Sequence, residues 1–458
     1  MKSIDRRSFL RRSVVAGGAL ALPTMLVPRI ARSATAAFGE VDHVLVLFAR
    51  GGLRSHCLFN AVGAEEHNPF GTQPAAEGTE WTLGAACGSV PISTPNGMLP
   101  SFAEITNDVT VIPCVDHRPG FPPDIDHRTA TNRIATGAPE GQHGLLTLVG
   151  RHRPGYENGF SRDALPPVEI GPSELGMGAG EYAKTRPLSL ADAEGSFVSD
   201  LPVGKGWKQS ARVALDEAFL ARRAPAFDAR ISQLLQSKAY AREFADVLAN
   251  PTLDVLGQPD VEAGGFTNGA LTNIFGTATL DTIGDPMPLP SWGAAVAKAL
   301  RFFQLGSPMC AVTRSYYDLH DLEEVAFAPR TQDLVRQLAG LNHVLKNMPH
   351  DKGGTFWDRS LVVVVSEFSR NNTNPDGFNS GRGSDHVVRR PGPARNQAVA
   401  LMGGPLSKKG KRLGETDREM NATGPVFSSQ SLLSTLLDVV GVDHRPLWED
   451  APIQELFA

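Results

Sequence analysis

The sequence predicts an α/β fold in which helices pack on a mostly parallel β-sheet. Apolar runs at residues 42–48, 109–115 and 361–365 are typical of strands that are buried on both faces. Amphipathic stretches alternate with the runs in the C-terminal third, and this alternation favours helices packed on a parallel sheet. A single α/β domain with insertions, or two structural parts, suits a chain of 458 residues.

Residues 1–36 are typical of a signal peptide of the twin-arginine export pathway. Arg6 and Arg7 stand in a basic start and precede an apolar segment at residues 14–27, which is too short to span a bilayer comfortably. A general secretory signal or an uncleaved anchor is the alternative. We expect the twin-arginine export machinery to deliver a mature domain, residues 37–458, to the periplasm or the exterior, with no stable membrane span after cleavage.

Charge and cysteine content argue against two classes of protein. The formal net charge of -5 is mild for this length, and no basic face for nucleic acid is visible. A thiolate zinc cluster is not expected, since no Cys-x-x-Cys pair occurs. In an oxidising compartment the cysteines can form up to two disulfides, and burial as small apolar side chains is the alternative. The four are Cys57, Cys87, Cys114 and Cys310.

The predicted strands share a run of apolar or β-branched residues and end in polar loops. Gly51 and Gly52 follow the first strand and permit a tight backbone turn there. Ligand sites of parallel sheets lie beyond the carboxyl ends of the strands, so these polar loops are the expected site. In chain order the strands are predicted at residues 42–48, 109–115, 165–170, 309–314, 361–365 and 398–402.

The predicted helices carry apolar residues at three- and four-residue steps. The clearest lies at residues 331–348, where Leu334, Leu338 and Leu341 belong to one continuous stripe. A longer helical pattern at residues 211–249 is broken near Pro225, which predicts two helices. Other helices are predicted at residues 292–305 and 431–440, and a Gly-, Pro- and Ser-rich stretch predicts a cap or insertion at about 155–290.

Carboxylates and imidazoles gather where predicted strands end. One such group is more typical of a salt bridge or a turn, but several groups at corresponding strand ends suit a metal, which needs ligands from separate segments. Arg370 and Arg382 suit an oxyanion such as phosphate or sulfate, with solvation at the surface as the alternative for both and the favoured one for Arg382. The groups are residues 50–56, Asp126 with His127, Asp318 with His320, and Glu367 with Asp385 and His386.

Five short motifs together resemble an uncharacterised exported family known as domain of unknown function 1501. The family is similar to a branch of the alkaline phosphatase and sulfatase superfamily. The resemblance extends over most of residues 41–445 and implies a doubly wound α/β sheet with helices on both faces, an inserted helical or irregular cap and a metal site at the strand ends. The motifs lie at residues 317–320, 366–370, 383–386, 402–404 and 414–417.

The resemblance also implies roles for individual residues. It implies a divalent metal, with zinc expected first and calcium, magnesium or manganese as alternatives, which would activate a nucleophile and stabilise charge on a transferring group. The implied metal ligands are Asp318, His320, Glu367, Asp385 and His386. The implied catalytic residues are Asp126, His127, Thr129 and Arg370, with the first three at a helix start that favours an anion.

Two positions depart from the family pattern. Arg54 stands where an acidic residue usually follows the glycines, and Asp126 stands where a hydroxyl is common. A cation in that position would repel the metal that the carboxylate normally binds. Two functions are therefore predicted: an exported metal-dependent hydrolase of phosphate or sulfate esters, with a small anionic ester as substrate, or a catalytically degenerate envelope binding or assembly protein that keeps the fold.

Overall fold

The structure is a computed structural model. The predicted signal peptide, the predicted helices at 211–249 and most of the predicted cap lie outside the residues that it describes. These residues are 41–116 except 66, 126–138, 141–153, 166–190 except 173, 268–276, 279–280, 289–304, 306–320, 323–370, 373–374, 383–384 and 396–458.

Within the described residues, the main sheet has eight strands. In chain order they are β1 His43–Ala49, β2 Val109–Asp116, β3 Val168–Ile170, β4 Leu188–Leu190, β5 Met309–Arg314, β6 Ser360–Val365, β7 Asn396–Met402 and β8 Phe427–Ser428. Across the sheet their order is β8-β2-β7-β6-β1-β5-β3-β4. Neighbouring strands are parallel except that β7 runs antiparallel to both β6 and β2. The prediction of a mostly parallel sheet is therefore confirmed.

Helices cover both faces of this sheet. In chain order they are α1 His127–Thr136, α2 Leu145–His152, α3 Asn268–Phe275, α4 Gly293–Gln304, α5 Glu323–Asn347, α6 Phe356–Arg359 and α7 Ser429–Val439. Leu45 and Leu47 of β1 belong to one apolar cluster with side chains of α4 and α5, whereas Val46 and Phe48 belong to a second cluster with side chains of α1, α2 and α7. Because successive residues of a strand face opposite sides, β1 is buried on both faces.

Helices α2 and α6 and strand β8 are not predicted from the sequence, and three other elements also differ from the prediction. Helix α5 begins at Glu323, well before residue 331, because it continues through Pro329, a residue that normally marks a helix boundary. Strand β4 lies within the predicted cap yet is the edge strand of the main sheet beside β3. Helix α3 has eight residues, too few to show a clear apolar period.

The remaining described features are small. Short antiparallel ladders join residues 72–73 to 83–84, 92–94 to 97–99, 279–280 to 289–290 and 373–374 to 383–384. All four cysteines are buried, which fits the interpretation that they serve as small apolar side chains. Among the helices that the structure describes, none combines the length and the apolar composition that crossing a bilayer requires.

Candidate metal centre at the strand ends

The loops that follow β1, β5 and β6 converge at one edge of the sheet. Because parallel strands place their carboxyl ends together, Gly51, Asp318 and Glu367 become neighbours. The Gly51 N–H donates to Glu367 Oε1 at 2.7 Å. A Cβ atom added to Gly51 would lie 2.3 Å from the Asp318 nitrogen, and the φ of Gly51 is +112°. A glycine is therefore required for this approach.

His127, Asp318 and His320 form a compact group of metal-ligating atoms. Each offers one ligand atom, and these atoms all lie within 4.8 Å of one another. The Nε2 atoms of His320 and His127 lie 3.0 Å and 3.4 Å from the same carboxylate oxygen, Asp318 Oδ1. The three side chains are partly exposed, so the group opens to solvent. Two imidazole nitrogens and a carboxylate oxygen fit zinc and similar divalent metals.

Glu367 lies behind His127 and orients its ring. The carboxylate is fully buried, and Oε1 accepts hydrogen bonds from the Gly51 N–H and from His127 Nδ1, the latter at 2.9 Å. An ionised carboxylate can only accept, so Nδ1 carries the proton and Nε2 is left to face Asp318. Carboxylates commonly hold metal-ligating histidines in this way. The structure thus places Glu367, predicted as a ligand, where it positions a ligand.

Arg370 is an internal partner of Asp318. Its side chain is 1% exposed, and Nη2 donates to Asp318 Oδ1 while Nε donates to the Gly51 carbonyl at 3.0 Å. Gly52 leaves the space that this packing needs, since a Cβ there would lie 2.3 Å from the ring of Phe368. Arg370 therefore neutralises Asp318 from inside the protein, out of reach of a ligand in solvent.

The charges of the group reinforce one another. Burial alone would lower the pKa of His127, but hydrogen bonds to Asp318 and Glu367 outweigh it and raise that pKa to about 9. Burial alone would raise the pKa of Asp318, but the hydrogen bonds from His127 and His320 and the charge of Arg370 hold it well below its usual range. At neutral pH a carboxylate thus faces an imidazolium, and a metal would displace the His127 proton.

The start of α1 places His127 beside Asp318 and His320. Asp126 is the N-cap residue, and its carboxylate accepts from the Thr129 N–H and the Thr129 hydroxyl, each at 2.8 Å. These bonds satisfy orphan donors of the first turn and hold the pKa of Asp126 below its usual value. Of the three residues predicted as catalytic here, His127 joins the metal-ligating atoms, whereas Asp126 and Thr129 bond to each other.

A buried network fixes the loop that carries Asp318 and His320. The Tyr317 hydroxyl accepts from Trp292 Nε1 at 3.0 Å and donates to the Arg330 carbonyl at 3.1 Å. Tyr317 is 1% exposed, so these bonds tie the loop to α5 from within the core. No signal in the sequence separates this role from ordinary packing of Tyr317.

Asp385, His386 and Arg382 lie outside the described residues, and their predicted roles stay predictions. In the sequence they lie between β6 and β7. The start of β7 is held beside the end of β6, because the Gln397 side chain accepts from the Ser366 N–H at 2.8 Å and donates to the Ser366 carbonyl at 2.6 Å. Arg54, which replaces an expected carboxylate, is fully buried beside the short helical turn Ser55–Cys57.

Two further charged residues border the centre. Arg50, the last residue before Gly51, forms an ion pair with Glu174, with 3.1 Å between Arg50 Nε and Glu174 Oε1. Arg50 belongs to a polar cluster that the sequence marks. Glu174 was not predicted, because it lies in the Gly-, Pro- and Ser-rich stretch that shows no period.

A family model described as Protein of unknown function (DUF1501) matches residues 272–451. The match includes Asp318, His320, Glu367 and Arg370, and it stops short of Gly51 and His127. No curated protein sequence matches the chain.

Several solved structures are similar to this chain at low identity. Alkaline phosphatase from the Antarctic bacterium TAB5 has 9% identity and a TM-score of 0.39, over 89% of this chain and 99% of that chain. Phosphonate monoester hydrolase of Agrobacterium radiobacter has 10% identity and a TM-score of 0.36, over 87% and 74%. The lipoteichoic acid synthase LtaP from Listeria monocytogenes has 10% identity and a TM-score of 0.34, over 92% and 76%.

Proposed function

We propose that this protein is an exported metal-dependent hydrolase of phosphate or sulfate esters. The observation that carries the proposal is the convergence of His127, Asp318 and His320, whose ligand atoms lie within 4.8 Å of one another at the carboxyl ends of parallel strands. A bound divalent metal would supply a Lewis acid and an activated water at this position. The twin-arginine pattern at Arg6 and Arg7 supports export.

The protein's own residues prepare the site for a cation and then for an anion. Asp318 and Glu367 contribute two negative charges, which Arg370 and the protonated His127 balance at neutral pH. A divalent metal that displaced the His127 proton would leave an excess of positive charge, which favours an anionic ester. Glu367 holds the His127 ring with Nε2 toward the ligand group, which limits the rearrangement that metal binding needs.

A second candidate is a catalytically degenerate protein that keeps the fold for binding or assembly in the envelope. The contact between Arg370 and Asp318 favours it, because a guanidinium on a ligand oxygen competes with a metal. The burial of Arg54 in place of an expected carboxylate favours it too, since the loop after the glycines then supplies a cation.

Metal content and ester hydrolysis separate the two candidates. We would purify the mature protein, measure bound metal by mass spectrometry, and assay 4-nitrophenyl phosphate and 4-nitrophenyl sulfate. The hydrolase predicts about one metal per chain at the group of His127, Asp318 and His320. Both metal and activity should fall to background in a His127→Ala, His320→Ala double variant. His152→Ala, a change at an exposed histidine of α2, is the control and should keep both.

Two results would decide between the hydrolase and the degenerate binding protein. A wild-type protein without metal would refute the metal-dependent hydrolase. Bound metal that depends on His127 and His320, together with no hydrolysis of either ester, would favour the degenerate binding protein instead.

A further inference from the structure

We infer that Arg50 and Glu174 form an oxyanion subsite beside the metal centre, in which Arg50 binds the anionic group of the substrate. This inference rests on the proposed function and assigns substrate recognition to Arg50 instead of Arg370. The two arginines differ in access: the side chain of Arg50 is 36% exposed, whereas that of Arg370 is 1% exposed. A ligand that arrives from solvent can therefore reach Arg50.

The backbone of Arg50 is fixed between the loops that build the centre. Its N–H donates to the Arg314 carbonyl at 2.8 Å, and its carbonyl accepts from the Tyr317 N–H at 3.2 Å. The next residue, Gly51, donates to Glu367. The backbone of Arg50 therefore lies next to Gly51, which contacts Glu367, and beside the loop that carries Asp318.

The side chain of Arg50 lies on the face of the sheet that α1 covers. Val46 and Phe48 of β1 contribute to the apolar cluster that contains Ile134 of α1, and strand alternation places residue 50 on the same side. Leu175, which follows the partner of Arg50, belongs to that cluster as well. Arg50 and the helix that presents His127 therefore share one face.

A buried carboxylate holds the partner of Arg50 in place. Glu169 of β3 is fully buried, and its Oε1 accepts from the Glu174 N–H at 2.8 Å and the Leu175 N–H at 2.7 Å. This pair of bonds fixes the turn from which Glu174 reaches Arg50 Nε. Among the described residues, Glu174 is the only ion-pair partner of Arg50, so the Nη edge of the guanidinium is available to a ligand.

The geometry of the free edge suggests the chemistry of the ligand. A guanidinium presents two parallel N–H groups that match two oxygens of a phosphate or sulfate group. Burial raises the pKa of Glu174, the charge of Arg50 opposes this, and the charge of Glu367 raises it further, so Glu174 lies within the field of the centre. Glu174 therefore orients Arg50, and its negative charge also repels an anion. This repulsion lowers the affinity of the subsite for the anion.

Anion binding by variants tests the subsite. We would titrate the metal-loaded mature protein with inorganic phosphate and, separately, inorganic sulfate, and measure Kd by calorimetry. Arg50→Ala should weaken binding about tenfold or more, because a charged hydrogen-bond pair is lost. Glu174→Gln should tighten binding, because it removes a nearby negative charge and keeps the shape. The anion with the larger dependence on Arg50 identifies the ester class.

A matched ion pair supplies the control. Arg445 and Asp443 form an exposed pair at 2.8 Å beyond the C-terminal end of α7, and Arg445→Ala should leave both Kd values unchanged. Should Arg50→Ala fail to fold, Arg50→Lys keeps the charge but loses the two-pronged geometry, and it should still weaken binding.

Measuring bound metal in the same samples separates the two proposals. Normal metal content with anion binding that is insensitive to Arg50→Ala or Arg50→Lys, or that fails to tighten in Glu174→Gln, would overturn the subsite and leave the hydrolase standing. If the wild-type protein takes up no metal but binds the anion, and the Arg50 variants bind it more weakly, the subsite is supported and the hydrolase is refuted.

Discussion

At the scale of single residues, the candidate metal centre depends on the close approach of three backbone segments. Gly51 lies against the backbone of Asp318 and donates to Glu367, and Gly52 lies against Phe368 and Arg370. These contacts leave no space for a side chain at either glycine. The positions of Asp318 and Glu367 are therefore set by the main chain of the loop after β1.

Replacing Gly51 by alanine should displace the Asp318 loop and abolish metal binding. The new Cβ would lie 2.3 Å from the Asp318 nitrogen, so that backbone has to move. Gly97→Ala is the control, since Gly97 also has a positive φ, +124°, but nothing lies within 4 Å of its Cβ position. Metal titration of both variants checks this. Equal metal affinity in the two would show that the contact at Gly51 does not position Asp318.

Part of the site is predictable from sequence at this scale. Asp318, His320 and Glu367 are predicted as site residues because each follows an apolar run, and in the structure they lie around His127 at one edge of the sheet. The sequence does not reveal that Glu367 positions His127, because the role of a carboxylate depends on which nitrogen of the ring it faces. It also does not reveal that Arg370 is enclosed, since a motif carries no information on burial.

At the scale of elements, α1 connects the centre to the fold. Asp126 caps this helix through Thr129, and His127 stands in the first turn. The position of His127 therefore depends on a well-formed helix start. The family resemblance implies a helix start here, whereas the direction of the His127 side chain depends on packing against Phe368, with 4.9 Å between the ring centroids.

The two Asp126 variants should separate capping from catalysis. Asp126→Ala should lower the free energy of unfolding by about 1 kcal/mol, the usual cost of losing an N-cap. Asp126→Asn should retain most of that stability, because asparagine caps equally well, and should retain metal binding. Denaturant unfolding and metal titration measure both quantities. A loss of ester hydrolysis in Asp126→Asn with full stability and metal content would instead give the carboxylate a direct chemical role.

Strand prediction succeeds for the long apolar runs, and among the short strands it finds β3 but misses β4 and β8. Five-residue apolar runs mark β1 and β6 because both faces of these strands are covered. β4 and β8 have three and two residues, which is too few to display a period. The antiparallel direction of β7 is likewise invisible in its apolar run, since direction is decided by the connection and not by side-chain pattern.

At the scale of the whole molecule, the opposite end of β1 contains a second group of buried polar residues. His43 is 5% exposed and lies between the rings of Phe303 and Phe356. Its Nδ1 contacts the Ser307 carbonyl at 2.8 Å, and its Nε2 lies 3.1 Å from His350 Nε2. This group joins β1 to segments that are hundreds of residues away, so its protonation affects global stability.

Stability should decrease as the pH falls below about 6.5. Burial lowers the pKa of His43 to about 4, with the charges of His350 and Arg153 adding to this. Between the two values the unfolded chain binds a proton that the folded chain does not, so stability is full above 6.5 and is lost as the pH approaches 4. The loss is about 3 kcal/mol, the equivalent of the pKa difference.

Unfolding free energies at pH 7.5 and pH 4 measure this effect. His43→Asn should have lower stability at pH 7.5 and a smaller difference between the two pH values. Some difference should remain, because burial also lowers the pKa of His350. An unchanged difference in the variant would assign the acid sensitivity to other groups.

The central position of β1 also has a consequence for the order in which the chain folds. β1 is made hundreds of residues before its neighbours in the sheet, because Val44 pairs with Met309 on one side and Leu361 on the other. Contacts between such distant residues give slow folding, because a very long loop has to close first. β1 has both edges unpaired until the strand at residues 309–314 has left the ribosome, and one edge stays unpaired and exposed to aggregation until residues 360–365 follow. The main sheet therefore cannot close around β1 until β5 and β6 have both been made.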